Sequence, residues 1–223
     1  MNETMEWLSS FDPLARTSFD YMEELHTLVM GPYFAAIESL DREYDRQIKK
    51  IDDVLTRVTR PDVVDDMNSY KIFHLAHHTE QTRAAGNMAL VSLVTLFRDT
   101  LKKLMRQLAD QFPREANKRY RGKHELARIK TELKERFGLD ACVQGCPLDF
   151  CIPLALARDF IVHESGYASA NFASEYPEYV DELGRVRFFE SHLLRAVGAS
   201  GSSITWLSKE LGYVRDKAAS SIV

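Results

Sequence analysis

Cysteine, glycine and proline are all scarce in this chain, and each scarcity narrows the possible classes of protein. The 10 Gly and 7 Pro among 223 residues are too few for a β-sandwich or barrel that turns about every ten residues. The 3 Cys are an odd number, and the N-terminus carries acids where a secretion signal needs bases, so we expect reduced thiols in the cytoplasm. No uncharged apolar run approaches about 18 residues, which argues against a membrane-spanning helix and a membrane partner.

The residues that are abundant are those of a folded domain. Hydrophobic residues make up 45% of the chain and charged residues 28%, and a chain of this length can bury a sizeable core. Because there is no internal repeat and no low-complexity linker, we predict one domain over residues 1–223. Within it, residues 1–30 are expected to form an N-terminal appendage on a core that spans 31–220.

The net charge of −4 conceals an uneven distribution along the chain. Residues 1–68 hold 15 acids and 7 bases, whereas residues 98–136 hold 13 Lys and Arg against 6 acids. A basic block inside an acidic protein suggests an anionic partner such as nucleic acid. The simpler interpretation is a solvated helix face, and composition alone favours that interpretation.

Part of this basic block is concentrated enough to bind RNA. A phosphate backbone could lie along its cationic side chains while one aromatic ring stacks on a base. The predicted RNA-binding residues are Arg114, Lys118, Arg119, Tyr120, Arg121 and Lys123. The alternative is a solvated loop between two helices.

Apolar residues recur at steps of three and four, the spacing of one face of an α-helix. The pattern predicts long helices over 32–60 and 70–112 and shorter ones over 13–30, 123–137 and 148–162. Residues 200–203 precede a predicted last helix, 167–179 are predicted to be a loop, and 185–189 a short strand or an extended edge. Gly86 inside the second long helix indicates a close helix contact or a bend. We therefore predict an all-α fold, an elongated up-and-down helical bundle with two long helices and several shorter ones.

The candidate for chemistry lies at the end of the apolar 148–162 run, where Arg158, Asp159 and His163 follow closely. Burying an Arg without a partner is costly, so this helix end should meet a cleft, a partner or solvent. An imidazole can accept and donate protons near neutral pH. A guanidinium can hold a phosphate and stabilise negative charge that develops on it. Such a pair suits RNA cleavage by the ribose 2′-hydroxyl without a metal.

Helix geometry places a condition on this pair. Five positions apart, Arg158 and His163 lie about 140° apart around an ideal helix. They can act together only if the long Arg side chain reaches round or the helix loosens at His163. The alternative is an Arg in a salt bridge and a His that caps the last carbonyls.

The run from Leu156 to His163 (LARDFIVH), followed by Gly166, resembles the signature of HEPN domains. In that family an Arg, a polar residue, a few apolar residues and a His lie near the end of a late core helix; the polar residue here is Asp159. The resemblance implies an all-α bundle with Arg158, Asp159 and His163 as catalytic residues. It also implies a metal-independent endoribonuclease without a cofactor, acting as a homodimer whose two Arg–His pairs meet in a cleft at the interface.

The same resemblance implies a biological setting and an alternative. Many members work in toxin–antitoxin, abortive-infection or other antiviral systems, so RNA is the expected substrate and an antitoxin or defence protein a further partner. Other members bind without cleaving. The alternative function is therefore a non-catalytic helical module that binds RNA, a nucleotide or a protein partner, and a third is a purely structural bundle.

Two clusters of metal-ligand residue types have simpler interpretations. His74, His77 and His78 lie within about one helical turn, and two imidazoles so spaced can share a metal. No Glu follows as in His-Glu-x-x-His, and no third ligand is suitably spaced, so we expect a surface or interface cluster and no metal site. The spacings of the three cysteines do not form two short pairs, which favours buried reduced thiols over a zinc site.

Overall fold

Long α-helices dominate the computed structural model, which describes residues 12–108, 112, 125–140 and 146–220. The α-helices are α1 (Pro13–Leu25), α2 (Gly31–Leu55), α3 (Pro61–Arg106), α4 (Glu125–Phe137), α5 (Leu148–His163), α6 (Ala170–Glu175) and α7 (Glu190–Ser220). A π-helical segment (His26–Met30) joins α1 to α2, and a 3₁₀ turn (Pro177–Tyr179) follows α6. The predicted all-α, elongated bundle is confirmed.

Helix α1 is the first helix of the described chain, and its sequence explains where it begins. The Asp12 carboxylate accepts a hydrogen bond from the Leu14 N–H at 2.8 Å, and Pro13 occupies the first turn. Leu14 and Tyr21 are buried in the same hydrophobic cluster as the central helices. The described part of the predicted appendage, residues 12–30, thus contributes to the core.

Helix α2 and the first part of α3 form a two-helix arm, defined here as residues 31–85. The two helices run antiparallel, because Asp41 of α2 contacts His78 of α3, whereas Asp52, further along α2, contacts the earlier Lys71. Few side chains of the arm are buried. Large apolar side chains remain exposed on its α3 helix: Tyr70, Ile72, Phe73 and Leu75.

The second half of α3 is the central helix of the core, in contact with α1, α5 and α7. The buried apolar side chains include Leu90, Phe97 and Leu101 from α3, Leu148 and Leu154 from α5, and Leu193 and Ile204 from α7. Removing this apolar surface from water is the main driving force that holds α5 in place. The Arg158–His163 segment is therefore carried by a rigid element.

The last helix begins earlier than predicted. Helix α7 starts at Glu190 and continues through residues 200–203, which the sequence analysis placed before its start. Gly201 and Ser203 are buried, and a Cβ added to Gly201 would lie 3.0 Å from the Met22 Sδ of α1. These small residues let α1 approach closely and do not break the helix.

Two other segments also differ from the prediction. Helix α3 begins at Pro61 and not at residue 70, although its first turns lack a buried stripe. The predicted loop 167–179 contains α6, whose Ser169 hydroxyl caps it by accepting a hydrogen bond from the Phe172 N–H at 3.2 Å. Residues 185–189 form an extended edge with isolated bridges, the second of the two predicted alternatives.

Candidate active site

Helix α5 is apolar apart from Asp149 in its first turn and the polar residues Arg158, Asp159 and His163 in its last turns. The side chains of Leu148, Cys151 and Leu154 are buried, and the helix continues unbroken to His163. Ser165 and Gly166 then adopt positive φ angles of 54° and 86°. Glycine adopts such angles without steric cost, so it allows the chain to turn sharply after the helix.

The Arg158 side chain is held by partial burial on α5 and by a contact with the next residue, Asp159. The Arg158 side chain is 20% exposed, and its Nη1 donates a hydrogen bond to the Asp159 Oδ1 at 2.9 Å. The Arg158 Nε is buried without a hydrogen-bond partner among the described residues. Since a guanidinium has five N–H donors, the Asp159 contact leaves donor capacity for an anionic ligand.

His163 is the last residue of α5, and its side chain is exposed to solvent. In the described part of the chain, no hydrogen bond or ring contact involves its imidazole. A ligand or a second protein copy can therefore reach it without displacing a partner. The imidazole is able to accept or donate a proton there.

The structure does not bring Arg158 and His163 together within one chain. Helix α5 does not loosen at His163, so the two side chains keep an angular separation of about 140°. Arg158 reaches Asp159, and no described contact joins it to His163. Asp159, the residue after Arg158, lies at the protein surface. Its carboxylate accepts a hydrogen bond from one nitrogen of the Arg158 guanidinium.

Backbone hydrogen bonds join the turn after α5 to the extended edge before α7. The Val186 N–H donates to the Gly166 carbonyl at 2.7 Å, and the Ala168 N–H donates to the Gly184 carbonyl at 2.9 Å. The Gly166 N–H closes the helix end by donating to the Phe160 carbonyl at 2.9 Å. These bonds fix the direction in which α5 ends, and hence where His163 is presented.

A network of charged side chains that the sequence analysis missed lies beside this turn. Arg185 donates to both carboxylate oxygens of Glu80, at 2.9 and 3.2 Å, and its Nε donates to Asp181 at 3.1 Å. Arg83 also pairs with Glu80, at 3.0 Å. The Arg83 Nη1 lies 3.9 Å from the position that a Cβ on Gly166 would occupy.

This network is electrostatically satisfied. Hydrogen bonds from Arg185, and then from Arg83, hold the pKa of Glu80 below its ordinary value despite the opposing effect of burial. The spacing of Glu80 and Arg83 on α3 could have indicated their pairing. No local signal could have indicated Arg185, because it lies 105 residues from Glu80 in the sequence.

The predicted RNA-binding patch lies outside the described residues. This applies to Arg114, Lys118, Arg119, Tyr120, Arg121 and Lys123. Of the basic block's described members, Lys102 and Arg98 both contact Glu125, at 2.5 and 3.3 Å, and Lys130 contacts Asp149 at 2.5 Å. These bases are neutralised locally, as expected of a solvated helix face.

The histidine cluster of α3 and the cysteines are the other groups of metal-ligand residue types in the sequence. Within residues 12–108, 112, 125–140 and 146–220, no group of three or more His, Cys, Asp or Glu side chains is placed to hold a metal ion. Cys146 and Cys151 are buried, and burial raises the pKa of Cys151 to about 12. Burial thus disfavours the thiolate, which is the nucleophilic form of a cysteine. Cys142 lies outside the described residues.

Comparison of the chain with protein-family models, with curated proteins and with solved structures finds no match. Among the described helices, none is long and apolar enough to cross a membrane.

Proposed function

We propose that this protein is a metal-independent endoribonuclease in which Arg158 and His163, supported by Asp159, cleave RNA in a cleft between two copies of the chain. The observation that carries the proposal is a half-buried guanidinium and an exposed imidazole in the last two turns of a mostly apolar helix. The resemblance of LARDFIVH to the HEPN signature supports it. That resemblance points to a toxin or antiviral-defence role, with an antitoxin or defence protein as a further partner.

The proposed reaction uses the substrate's own nucleophile. A base removes the proton of the ribose 2′-hydroxyl, and that oxygen attacks the adjacent phosphorus. The bond from phosphorus to the 5′-oxygen breaks as this oxygen receives a proton, giving a 2′,3′-cyclic phosphate and a 5′-hydroxyl. His163 suits the proton transfer, and Arg158 suits the negative charge that grows on the phosphoryl oxygens. Asp159 acts on Arg158 and is a positioning residue.

Two copies of the chain would supply what one copy lacks. Because Arg158 and His163 point in different directions on one helix, a two-fold axis at the end of α5 could place His163 of the partner subunit near Arg158. One imidazole would then act as base while the other acts as acid. Val162, 45% exposed next to His163, offers apolar surface for such an interface.

The proposed assembly predicts the effect of a charge at Val162. Val162→Glu should convert a dimer into a monomer and abolish most RNA cleavage, because a buried unpaired carboxylate is costly. Light scattering coupled to gel filtration measures the mass. Leu194→Glu on α7 is the matched control, since Leu194 is 46% exposed, and it should leave mass and cleavage unchanged. A monomeric wild-type protein that cleaves RNA would contradict the dimer.

Metal independence is tested directly by chelation. RNA cleavage should persist in excess EDTA, and the products should end in a 2′,3′-cyclic phosphate or its hydrolysed form, as identified by mass spectrometry. Single-stranded DNA should survive because it lacks the 2′-hydroxyl. Loss of cleavage on chelation, restored by a divalent metal, would show that the chemistry does not follow this route.

A second candidate function is a non-catalytic module that binds RNA, a nucleotide or a protein partner through the same helix end. The observation that favours it is the separation of Arg158 from His163 by the unbroken helix. Retained RNA binding without any cleavage by the wild-type dimer would support this function over the first.

A further inference from the structure

The arm carries a groove between its two helices, remote in sequence from the end of α5. Its volume is about 310 Å³, which falls at the lower end of the range for small-ligand sites, about 300–1,000 Å³. Residues from α3 and α2 line it, among them Phe73, His74, His77 and Gln81 from α3 and Glu43 and Tyr44 from α2.

Aromatic rings make up much of the groove. The Tyr44 and His78 rings contact each other across the two helices, with centroids 4.7 Å apart and planes inclined by 33°. Phe73 and His77 lie parallel, with an interplanar angle of 2° and centroids 6.2 Å apart. Phe73 is nevertheless 62% exposed, so a large π-face remains open to a ligand.

The charged groups at the groove already have partners. The Asp41 carboxylate pairs with the His78 Nε2 at 2.9 Å. The Glu43 carboxylate accepts a hydrogen bond from the Gln47 amide at 2.5 Å and pairs with Arg46. By contrast, the Gln81 amide has no hydrogen-bond partner among the described residues. The chemistry left for a ligand is therefore a set of ring faces together with the hydrogen-bonding groups of the imidazoles and the Gln81 amide.

We propose that this groove binds an unpaired base of single-stranded RNA, which stacks on Phe73 and hydrogen-bonds to the neighbouring imidazole and amide groups. Unpaired bases are typically recognised by stacking on aromatic or His side chains, together with hydrogen bonds to the base edge. The proposal rests on the proposed function, because it takes RNA as the ligand. It assigns substrate binding to the arm and chemistry to the end of α5.

The test uses a short single-stranded DNA that contains the fluorescent base 2-aminopurine. DNA presents the same kind of base but lacks the 2′-hydroxyl, so binding is read without cleavage. The wild-type dimer should quench the fluorescence, and Phe73→Ala should weaken affinity by about ten-fold or more, the scale of one lost stacking contact. Phe73→Trp should retain binding. The salt dependence should not change, since no phosphate contact is removed.

The matched control is Ile72→Ala, which removes an adjacent side chain that is 69% exposed and does not line the groove. Its affinity should equal that of the wild type. Equal affinity of Phe73→Ala and Ile72→Ala, or no quenching by the wild type, would overturn the proposal. So would a lowered oligomer mass in both variants with unchanged base binding, because the arm would then be a protein interface. Cleavage that depends on His163 would survive each of these outcomes, so the two proposals fail separately.

Discussion

Replacing His163 with alanine should lower the rate of RNA cleavage by about 10²-fold or more, the usual effect of losing a general acid–base group. Affinity for RNA should change little, because the imidazole is one exposed side chain at the end of α5. The fold should be unaffected, since the His163 side chain is exposed to solvent. Single-turnover cleavage of a labelled RNA gives the rate, and a filter-binding titration gives the affinity.

The control for this variant is His26→Ala, which removes an exposed imidazole from a different part of the bundle. Its cleavage rate should match that of the wild type.

Arg158→Ala should reduce RNA binding as well as cleavage, because Arg158 is proposed to contact the phosphate in the ground state and in the transition state. Any growth arrest caused by expression should disappear with His163→Ala. Unchanged cleavage in that variant would refute the ribonuclease proposal and leave the binding module.

The sequence predicts the helices well where their apolar stripe is at least partly buried against another helix. The stripe of α2 and that of the second half of α3 recur at helical spacing, and both helices are present. The first turns of α3 were missed because residues 61–69 are mostly polar and exposed. Apolar residues recur at helical spacing in the sequence only when one face of the helix packs against another part of the fold.

Small residues explain the other main difference. Ser-Gly-Ser-Ser at 200–203 has the composition of a loop, yet it lies inside α7. Ser200 and Ser203 donate their hydroxyl hydrogens to the carbonyls of Val197 and Ala199, so the buried polar groups are satisfied within the helix. The close approach of α1 supplies the packing. Composition does not distinguish small residues of a turn from small residues of a helix contact.

Only those residues of the candidate site that are close together in the sequence could be predicted from it. Arg158, Asp159 and His163 lie within six consecutive residues, and the Arg158–Asp159 contact follows from their adjacency. The network that borders the site pairs Glu80 with Arg185, which pattern and spacing cannot connect across the chain. Long-range contacts of this kind depend on the packing of α3 against the edge before α7.

The extended edge approaches the backbone of α3 closely at Gly86. A Cβ added to Gly86 would lie 2.4 Å from the Phe188 carbonyl oxygen, so the backbone of residue 188 would have to move. The next residue, Asn87, donates its side-chain amide to the Val186 carbonyl at 3.1 Å, and Asn87 is buried. The sequence indicated a close helix contact or a bend at Gly86; the structure has a close contact there, but with the extended edge and not with a helix.

Gly86→Ala should therefore destabilise the protein. Overpacking of this kind costs about 1–3 kcal/mol and should outweigh the gain of up to about 1 kcal/mol from better helix propensity. The midpoint of thermal unfolding should fall by several degrees, as circular dichroism would measure. Cleavage should fall as well, because the displaced edge holds Gly166 through the Val186 N–H and so fixes the end of α5.

Gly198→Ala in α7 is the matched control for Gly86→Ala, and the two should shift stability in opposite directions. A Cβ at Gly198 would meet no atom within 4 Å, so this substitution should add helix propensity without a clash. Its unfolding midpoint should rise by a few degrees, and cleavage should stay at the wild-type rate. If Gly86→Ala were instead as stable as Gly198→Ala, the edge would be free to move away from α3. The Gly166–Val186 hydrogen bond could then not be what fixes the direction in which His163 is presented.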